Sequence, residues 1–209
     1  MTKTIWNKIA ACHTGRVPAG EKQDTKKLIV EIATELIQQN GYQGFSYQDI
    51  ATRLGIKKAS IHYHFPKKED LGMAVLSAYY QYILDWLSKY DLEKMTALEK
   101  MEVYFRFFSE PKMSCELGCP MNGFFSEAGS LPEVLREKLA WFEKWHLELV
   151  TQKVKEGVEK GEFKKRGAPE EQALFIIAAT MGALNMAAES KNPAYYDTVV
   201  RQIIGSLVC

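Results

Sequence analysis

The sequence predicts an all-α fold, in which a small N-terminal unit of three helices is followed by a larger helical body. Apolar residues recur at intervals of three and four along almost the whole chain, which is the spacing of one face of an α-helix. Alternating apolar and polar runs, typical of half-buried strands, are nearly absent from it. Glycine and proline come in short clusters between the periodic runs, where they would end one helix and start the next.

Residues 1–23 contain no helical stripe of useful length, and glycine and proline interrupt their second half. We expect them to form a flexible N-terminal arm. The first strong helix is predicted from Thr25 to Asn40, where Gly41 provides a typical end signal. Its buried stripe is predicted to be Leu28, Ile29, Ile32, Ala33, Leu36 and Ile37.

Two short helices joined by a tight turn are predicted next. Ser46 and Asp49 are spaced as the two members of a capping box, which would open a helix that runs to about Leu54. Gly55 ends that helix, because so sharp a reversal of the chain usually requires a positive φ.

The second of these short helices is rich in hydrogen-bond donors. It begins near Lys57, and Ile61 and Phe65, four residues apart, are expected to face inward. A short donor-rich helix lying across another is the construction of a helix-turn-helix that reads DNA. The alternative is an ordinary helical hairpin in a protein that does not bind DNA. The outward donors are Lys57, Lys58, Ser60, His62, Tyr63 and His64.

The body is predicted to hold six further helices, several of which have a clear start signal. Proline opens some of them, and Thr96/Glu99 and Ser130/Glu133 are spaced as capping boxes. We therefore expect a helix-turn-helix domain over residues 24–70 and a body over residues 71–209. The predicted body helices span 67–88, 96–109, 120–128, 130–160, 169–190 and 192–208.

A resemblance to a known family appears over residues 25–71. Residues 49–71 read DIATRLGIKKASIHYHFPKKEDL, which is similar to the DNA-binding head of the TetR/AcrR repressors. The chain departs from the usual pattern at His62, where tyrosine is commoner, and at Lys57, where serine or threonine is commoner. The resemblance implies a homodimeric transcriptional regulator, with a helical body that holds a small-molecule inducer and forms the dimer.

Specific DNA contacts are expected in the head. Charge supports this position, because residues 1–70 balance to +4 and residues 71–209 to −3 within a net charge of +1. The arm could also carry lysine and arginine toward DNA, although a flexible tail is the better explanation of it. Donors suited to base edges are Lys57, Lys58, Ser60 and His62. Those suited to phosphates are Thr25, Ser46, Tyr63 and Lys68.

The last two predicted helices are apolar on more than one face, so each must bury more than one face. They could simply fill the core of the body. The resemblance implies instead a seam with a second copy, and a two-fold dimer suits a palindromic operator. The predicted dimer residues are Ile177, Met181, Leu184, Tyr196, Val200, Ile203, Ile204 and Leu207.

The middle of the body is unusually aromatic. Large aromatic residues at helical spacing usually form a core, but a cluster of them can also line an apolar cavity. The resemblance places an inducer here, and we expect it to be apolar or aromatic, with Arg106 able to orient a single carboxylate. His146 could hydrogen-bond a ligand or face solvent. The predicted ligand-binding residues are Trp86, Tyr104, Phe108, Cys119, Trp141 and Trp145.

Cys119 follows Gly118 at a predicted helix start. Free N–H groups and the helix dipole there would lower the pKa of the thiol. The resulting thiolate could be oxidised, alkylated or joined to Cys115, and a Gly-Cys here resembles an electrophile- and oxidant-sensing branch of the family. The alternative is a small apolar residue that packs beneath the loop.

Several classes are not expected. Four cysteines are too few and too scattered for a disulfide scaffold or a structural zinc site. No phosphate loop, nucleophile elbow or His-Glu-x-x-His helix is present, so neither an enzyme, a cofactor nor a metal is predicted. No apolar run approaches membrane-spanning length and no signal-peptide core is visible, so we expect a cytoplasmic protein. The competing class is a helical ligand-binding protein that does not bind DNA.

Overall fold

A computed structural model describes residues 24–109 and 118–208, and it confirms the predicted all-α fold. Within these residues two short 3₁₀ turns, Leu92–Lys94 and Ala128–Ser130, and one isolated bridge between Phe163 and Val208 accompany the helices. The predicted arm and Cys115 lie outside the described residues. The nine described α-helices are α1 Thr25–Asn40, α2 Tyr47–Leu54, α3 Lys58–His64, α4 Lys68–Leu87, α5 Ala97–Ser109, α6 Pro120–Phe125, α7 Glu133–Glu159, α8 Pro169–Ser190 and α9 Ala194–Leu207.

Local signals account for most helix starts. At α2 the Asp49 carboxylate accepts hydrogen bonds from the Ser46 backbone N–H at 2.7 Å and from its hydroxyl at 2.8 Å. These bonds lower the pKa of Asp49. At α5 the Thr96 hydroxyl accepts from the Glu99 N–H at 3.2 Å, and the Glu99 carboxylate accepts from the Thr96 N–H at 2.8 Å. Gly55 closes α2 with a left-handed φ of 66°.

One predicted start signal is wrong. The long helix α7 begins at Glu133 directly after Pro132, and Ser130 does not cap it. The Ser130 hydroxyl instead donates to the Glu127 carbonyl at 2.9 Å. Ser130 is the last residue of the 3₁₀ turn Ala128–Ser130, and its hydroxyl bonds back to the residue before that turn instead of forward to α7. The preceding helix, α6, is also shorter than predicted, because it ends at Phe125.

The head is a three-helix unit with its own buried centre. Ile29, Ile50, Ile61 and Leu71, from α1, α2, α3 and the first turn of α4, are fully buried. The Arg53 side chain on α2 donates to Glu35 at 3.3 Å and to Gln39 at 2.9 Å on α1. The Tyr47 hydroxyl donates to the Phe65 carbonyl at 2.9 Å and so ties α2 to the end of α3. These contacts hold α3 across α2 with its polar face outward.

The body is joined to the head by a close approach of α6 to α1. Gly123 lies so near α1 that a Cβ atom there would come within 2.4 Å of the Ile37 carbonyl oxygen. Beside it, the ring of Phe124 stacks on Tyr42 with centroids 5.6 Å apart. The Gln38 amide donates to the Gly118 carbonyl at 2.7 Å. Glycine is therefore required at this point by the distance between the two helices.

Helix α8 departs from one expectation. It is long and apolar enough to cross a membrane by length and composition, so the prediction that no apolar run reaches that length is wrong. About a third of its most apolar window, 33%, is buried in the chain. It packs between α7 and α9, an arrangement also typical of a core helix in a protein without a membrane span.

We predict that Gly123→Ala lowers the free energy of unfolding by about 1–3 kcal/mol, the usual cost of overpacking a tight contact. The added methyl group would push α6 away from α1. Urea unfolding followed by far-UV circular dichroism would measure the change. Gly129→Ala is the matched control, because no atom lies within 4 Å of a Cβ there. Equal stability of the two variants would contradict the close contact.

Candidate nucleic-acid interface and ligand cavity

The outward face of α3 carries exposed donors. Lys57, at the cap position, Lys58 and His62 are all exposed. Tyr63 is 83% exposed, the largest value among the large hydrophobic side chains of the described residues. Its ring meets only the edge of the neighbouring His64 ring among the described aromatic contacts, with centroids 5.2 Å apart, and stays largely open to solvent beside Lys57 and Lys58. The geometry therefore presents a basic, polar helix face to a partner.

A shallow cleft runs along one side of this face, between the start of α1 and α3. Thr25 and Ser60 are half-buried in it. Hydroxyl groups at such a position can donate to phosphate oxygens. The other residues of the cleft wall are Ile56, Ala59, Tyr63 and His64.

His62 is exposed but not free to rotate at random. Its ring meets the buried ring of Tyr47 edge-on, with centroids 4.8 Å apart. This contact holds the imidazole against α2 at the exposed side of α3, one helical turn after Lys58. A positioned imidazole can donate to or accept from a base edge.

Lys68, predicted as a phosphate contact, is placed differently. Its ammonium group donates to the Phe45 carbonyl at 2.5 Å and to the Gln43 carbonyl at 3.4 Å. It also lies 4.2 Å from the centre of the Phe45 ring, and burial lowers its pKa. The prediction that Lys68 contacts phosphate is therefore corrected: its side chain links α4 to the loop before α2. The Ser46 hydroxyl, another predicted phosphate contact, is exposed but already donates to Asp49.

A cavity of about 230 Å³ lies in the body, with walls from α4, α5, α6, α7 and α8. Five of the six predicted ligand residues line it, namely Trp86, Tyr104, Phe108, Cys119 and Trp145. The cavity wall continues onto α8, whose Leu174, Ile177 and Met181 lie partly or largely at the surface.

Two predictions about the ligand site are wrong: Trp141 does not line the cavity, and Arg106 is not placed to orient a ligand carboxylate. Trp141 is 43% exposed and lies outside the cavity, where the Lys138 ammonium sits 3.9 Å above its ring. It falls on the outer side of α7, because the helical turn carries it away from Phe142. Arg106 is exposed and its Nε donates to the Glu102 carbonyl at 3.4 Å, so it does not reach the cavity.

Sequence reasoning missed four aromatic wall residues, which are Tyr79, Phe107, Phe125 and Phe142. All four belong to the aromatic run that predicted the cavity. Helical spacing shows that a side chain faces inward, but not whether it meets a neighbour or an open space. No signal in the sequence could have separated these residues from the core.

Cys119 is buried at the start of α6, and the predicted low-pKa thiolate is wrong. Burial raises the pKa of the thiol and outweighs the hydrogen bonds that favour the charged form. The thiol lies 3.1 Å from the Tyr79 hydroxyl. Cys119 is therefore a protonated, weakly nucleophilic part of the cavity wall.

His146 on α7 contributes a polar group to the same wall. Its Nε2 lies 3.1 Å from the Tyr104 hydroxyl. Burial lowers the pKa of the imidazole to about 4, so the ring is neutral at neutral pH. A neutral imidazole beside a phenol can both donate and accept hydrogen bonds.

Four predicted dimer residues belong to the core of the single chain. Leu184, Tyr196, Ile203 and Leu207 are at most 2% exposed, so a second copy could not reach their side chains. They face inward because α8 and α9 pack against each other along that side. The half-buried members of the predicted set are Ile177, Met181, Val200 and Ile204. Larger apolar side chains at the surface of these helices are Leu174, Phe175, Met186 and Tyr195.

A helix-turn-helix head with an outward donor face, joined to a helical body that contains a cavity, defines a DNA-binding regulator. Comparison with known proteins agrees. Residues 29–75 match the bacterial regulatory proteins of the tetR family, and residues 92–203 match a tetracyclin repressor-like C-terminal domain. The chain belongs to this TetR/AcrR family, and it is a DNA-binding transcriptional regulator and not an enzyme.

Individual relatives extend the match over most of the chain. The HTH-type transcriptional repressor DhaR of Mycobacterium sp. strain GP1 is 30% identical over 159 residues, 75% of this chain and 78% of that protein. A TetR-family regulator from Agrobacterium tumefaciens superimposes with a TM-score of 0.82 at 25% identity, covering 90% of this chain and 99% of that one. A TetR regulator from Legionella pneumophila gives 0.75 at 32% identity, covering 90% and 100%.

We predict that stability falls as the pH drops from about 6.5 toward 4. In this window the unfolded chain protonates His146, whose ordinary pKa is 6.5, while the folded chain does not. The contribution of the neutral His146 ring to the free energy of unfolding is thus complete above pH 6.5, and it is lost as the pH falls toward 4. Melting temperatures of the unmodified protein and of His146→Gln, compared at pH 7 and pH 5, would measure it. The variant should lose less stability, and equal losses would contradict a half-buried ring that stays neutral in the folded chain.

Proposed function

We propose that this protein is a homodimeric repressor that binds a palindromic operator and is released by a small apolar ligand held in the body cavity. The observation that carries the proposal is the double contact of α6. Met121 and Asn122 of this helix line the cavity, whereas Gly123 and Phe124 meet the head. A ligand that moves α6 must therefore also move α1 or break its contact with it.

A second connection supports the same route. Helix α4 begins in the head, where Leu71 is fully buried, and ends in the body, where Trp86 lines the cavity. In addition, the N–H of Gln43, in the turn after α1, donates to the carboxylate of Glu127, just after α6, at 2.8 Å. The cavity thus borders both helices that set the position of the head. Ligand and DNA would then be coupled, each lowering the affinity for the other by the same factor.

The surface of α8 and α9 supports a dimer. Leu174 and Phe175 are 59% and 61% exposed, which is unusual for such side chains in a chain that stands alone. Gly182 and Gly205 have open space where a Cβ would be, so another helix could approach closely. Regulators of this family typically act as dimers. A second copy would cover the apolar strip that also gives α8 its membrane-like composition.

An electrophilic inducer is the less favoured form of this proposal. Such a compound would need a reactive thiolate, and the Cys119 thiol is buried with a raised pKa. A ligand-binding protein without DNA binding is disfavoured as well, because Tyr63 and the lysines of α3 would then be exposed without use.

We predict that Lys58→Ala weakens operator binding by about 1–3 kcal/mol and relaxes preference at one base position. The operator would first be selected from random duplexes with the full-length protein, and fluorescence anisotropy would then give affinities. Lys138→Ala is the matched control, because this lysine lies on α7 against Trp141. An equal loss of affinity on every sequence would make Lys58 a phosphate contact. If the selection yielded no palindrome, the proposed operator would be refuted.

We predict that Phe175→Glu converts the dimer to a folded monomer, since burying an unpaired charge costs several kcal/mol. Phe175 is mostly exposed in the single chain, so the chain's own core should survive. Sedimentation velocity at micromolar concentration would measure the change. Val134→Glu, at an exposed apolar position on α7, should remain dimeric. An unmodified protein that sediments as a folded monomer would refute the seam.

A further inference from the structure

The wall of the body cavity carries almost no charge. No lysine or arginine of the described residues lines it, and Glu143 is its one acidic side chain, exposed at the surface. Nearby cations are engaged elsewhere. The Arg106 guanidinium lies 5.7 Å from the Tyr90 ring, and the Lys138 ammonium lies over Trp141. A carboxylate or phosphate that entered this cavity would lose its water without gaining a counter-charge.

A cation is no better suited. Burial lowers the pKa of His146 to about 4, which means that this part of the wall already disfavours a positive charge. A ligand ammonium at the same depth would suffer the same loss of hydration. Aromatic faces can attract a cation, but here they offset only part of that cost. The inner cavity therefore selects against charge of either sign.

Most polar groups along the wall are already paired. The Trp86 indole N–H donates to the Val103 carbonyl at 3.1 Å, and the Tyr79 hydroxyl lies against the Cys119 thiol. The Tyr104–His146 pair differs, because the second ring nitrogen of His146 has no hydrogen-bond partner among the described residues. That pair can offer a donor or an acceptor to a ligand.

The size of the cavity limits the ligand. At about 230 Å³ it exceeds the roughly 150 Å³ of a cavity that holds benzene, and it is below the roughly 300 Å³ at which drug-sized pockets begin. One ring with a short substituent fits this range. The aromatic walls from Phe107, Phe108 and Phe142 suit the faces and edges of such a ring.

We propose that the cavity binds an uncharged ligand of single-ring size, with one hydroxyl or carbonyl oxygen that hydrogen-bonds the Tyr104–His146 pair. The proposal rests on the ligand-controlled function given above and names the chemistry of the inducer. Tyr104 and His146 would set the orientation of the ligand, and the aromatic wall would supply most of the affinity.

Four probes of nearly equal size test the ligand class: benzyl alcohol, toluene, benzoate and benzylamine. Binding of each probe to the unmodified protein, without DNA, would be measured as quenching of tryptophan fluorescence, because Trp86 and Trp145 line the cavity. Benzyl alcohol should bind about 3–10-fold more tightly than toluene, the effect of one neutral hydrogen bond. Benzoate and benzylamine should bind at least about 10-fold more weakly than benzyl alcohol.

A variant pair tests the role of the polar group. Tyr104→Phe keeps the ring but removes the hydroxyl, so it should abolish the preference for benzyl alcohol and leave toluene binding unchanged. Tyr80→Phe is the matched control, because Tyr80 does not line the cavity and packs against Trp141 and the outer side of the cavity residue Trp145. It should alter neither affinity. The four-probe comparison on the unmodified protein stands whatever the stability of the variants.

Three results would overturn the proposal. These are tighter binding of benzoate or benzylamine than of benzyl alcohol, no binding of any probe at millimolar concentration, and a Tyr104→Phe protein that keeps the preference for the alcohol. None of them depends on DNA. Failure of the operator selection would instead refute the proposed function, so the two proposals fail separately.

Discussion

The approach of α6 to α1 is the contact on which the rest of the structure depends. Gly123 lacks a Cβ, and this alone allows the short helix to lie against the Ile37 carbonyl. One face of α6 therefore contacts the head, and the other face lines the cavity. Head and body consequently share a helix, in addition to the continuous α4.

The energies at this junction are small enough to be shifted by a ligand. A helix of six residues is unstable by itself, so α6 exists because its two faces are packed. The residues on either side of α6 are linked to the head by the Gln38–Gly118 and Gln43–Glu127 hydrogen bonds, each worth about 1 kcal/mol net. Couplings between ligand and effector sites are typically about 1–3 kcal/mol. Loss of one or two such contacts would therefore match the scale that regulation requires.

Charge is distributed between the two ends of the chain according to what each must meet. The head keeps Lys57 and Lys58 in water, available to an anionic polymer, while it uses Arg53 and Lys68 to hold its own helices together. The cavity wall, in contrast, exposes no lysine or arginine of the described residues, and aromatic rings surround its few polar groups. Burial there keeps the Cys119 thiol and the His146 ring neutral. The burial that keeps these groups neutral would, on the proposed function, also decide which ligands the cavity could admit.

The sequence alone determined the helices of the head, because their signals are local. Asp49 and Gly55 set the ends of α2 within a few residues of chain, and the 49–71 run carries the family resemblance. It also determined that the body is helical and aromatic at its centre. Where the local signal was shared by two neighbours, as at Ser130 and Pro132, sequence reasoning chose the wrong one.

Only the tertiary structure decided which inward side chains meet a cavity, a core or a surface. Periodicity identifies the buried side of one helix, but a cavity depends on how five helices are spaced. That is why Trp141 lies outside the cavity and Tyr79 inside it, and why Ile203 belongs to the core of the single chain. The pKa of Cys119 was likewise a tertiary outcome. A helix start favours the thiolate, but the depth of burial, which no local sequence records, opposes it more strongly.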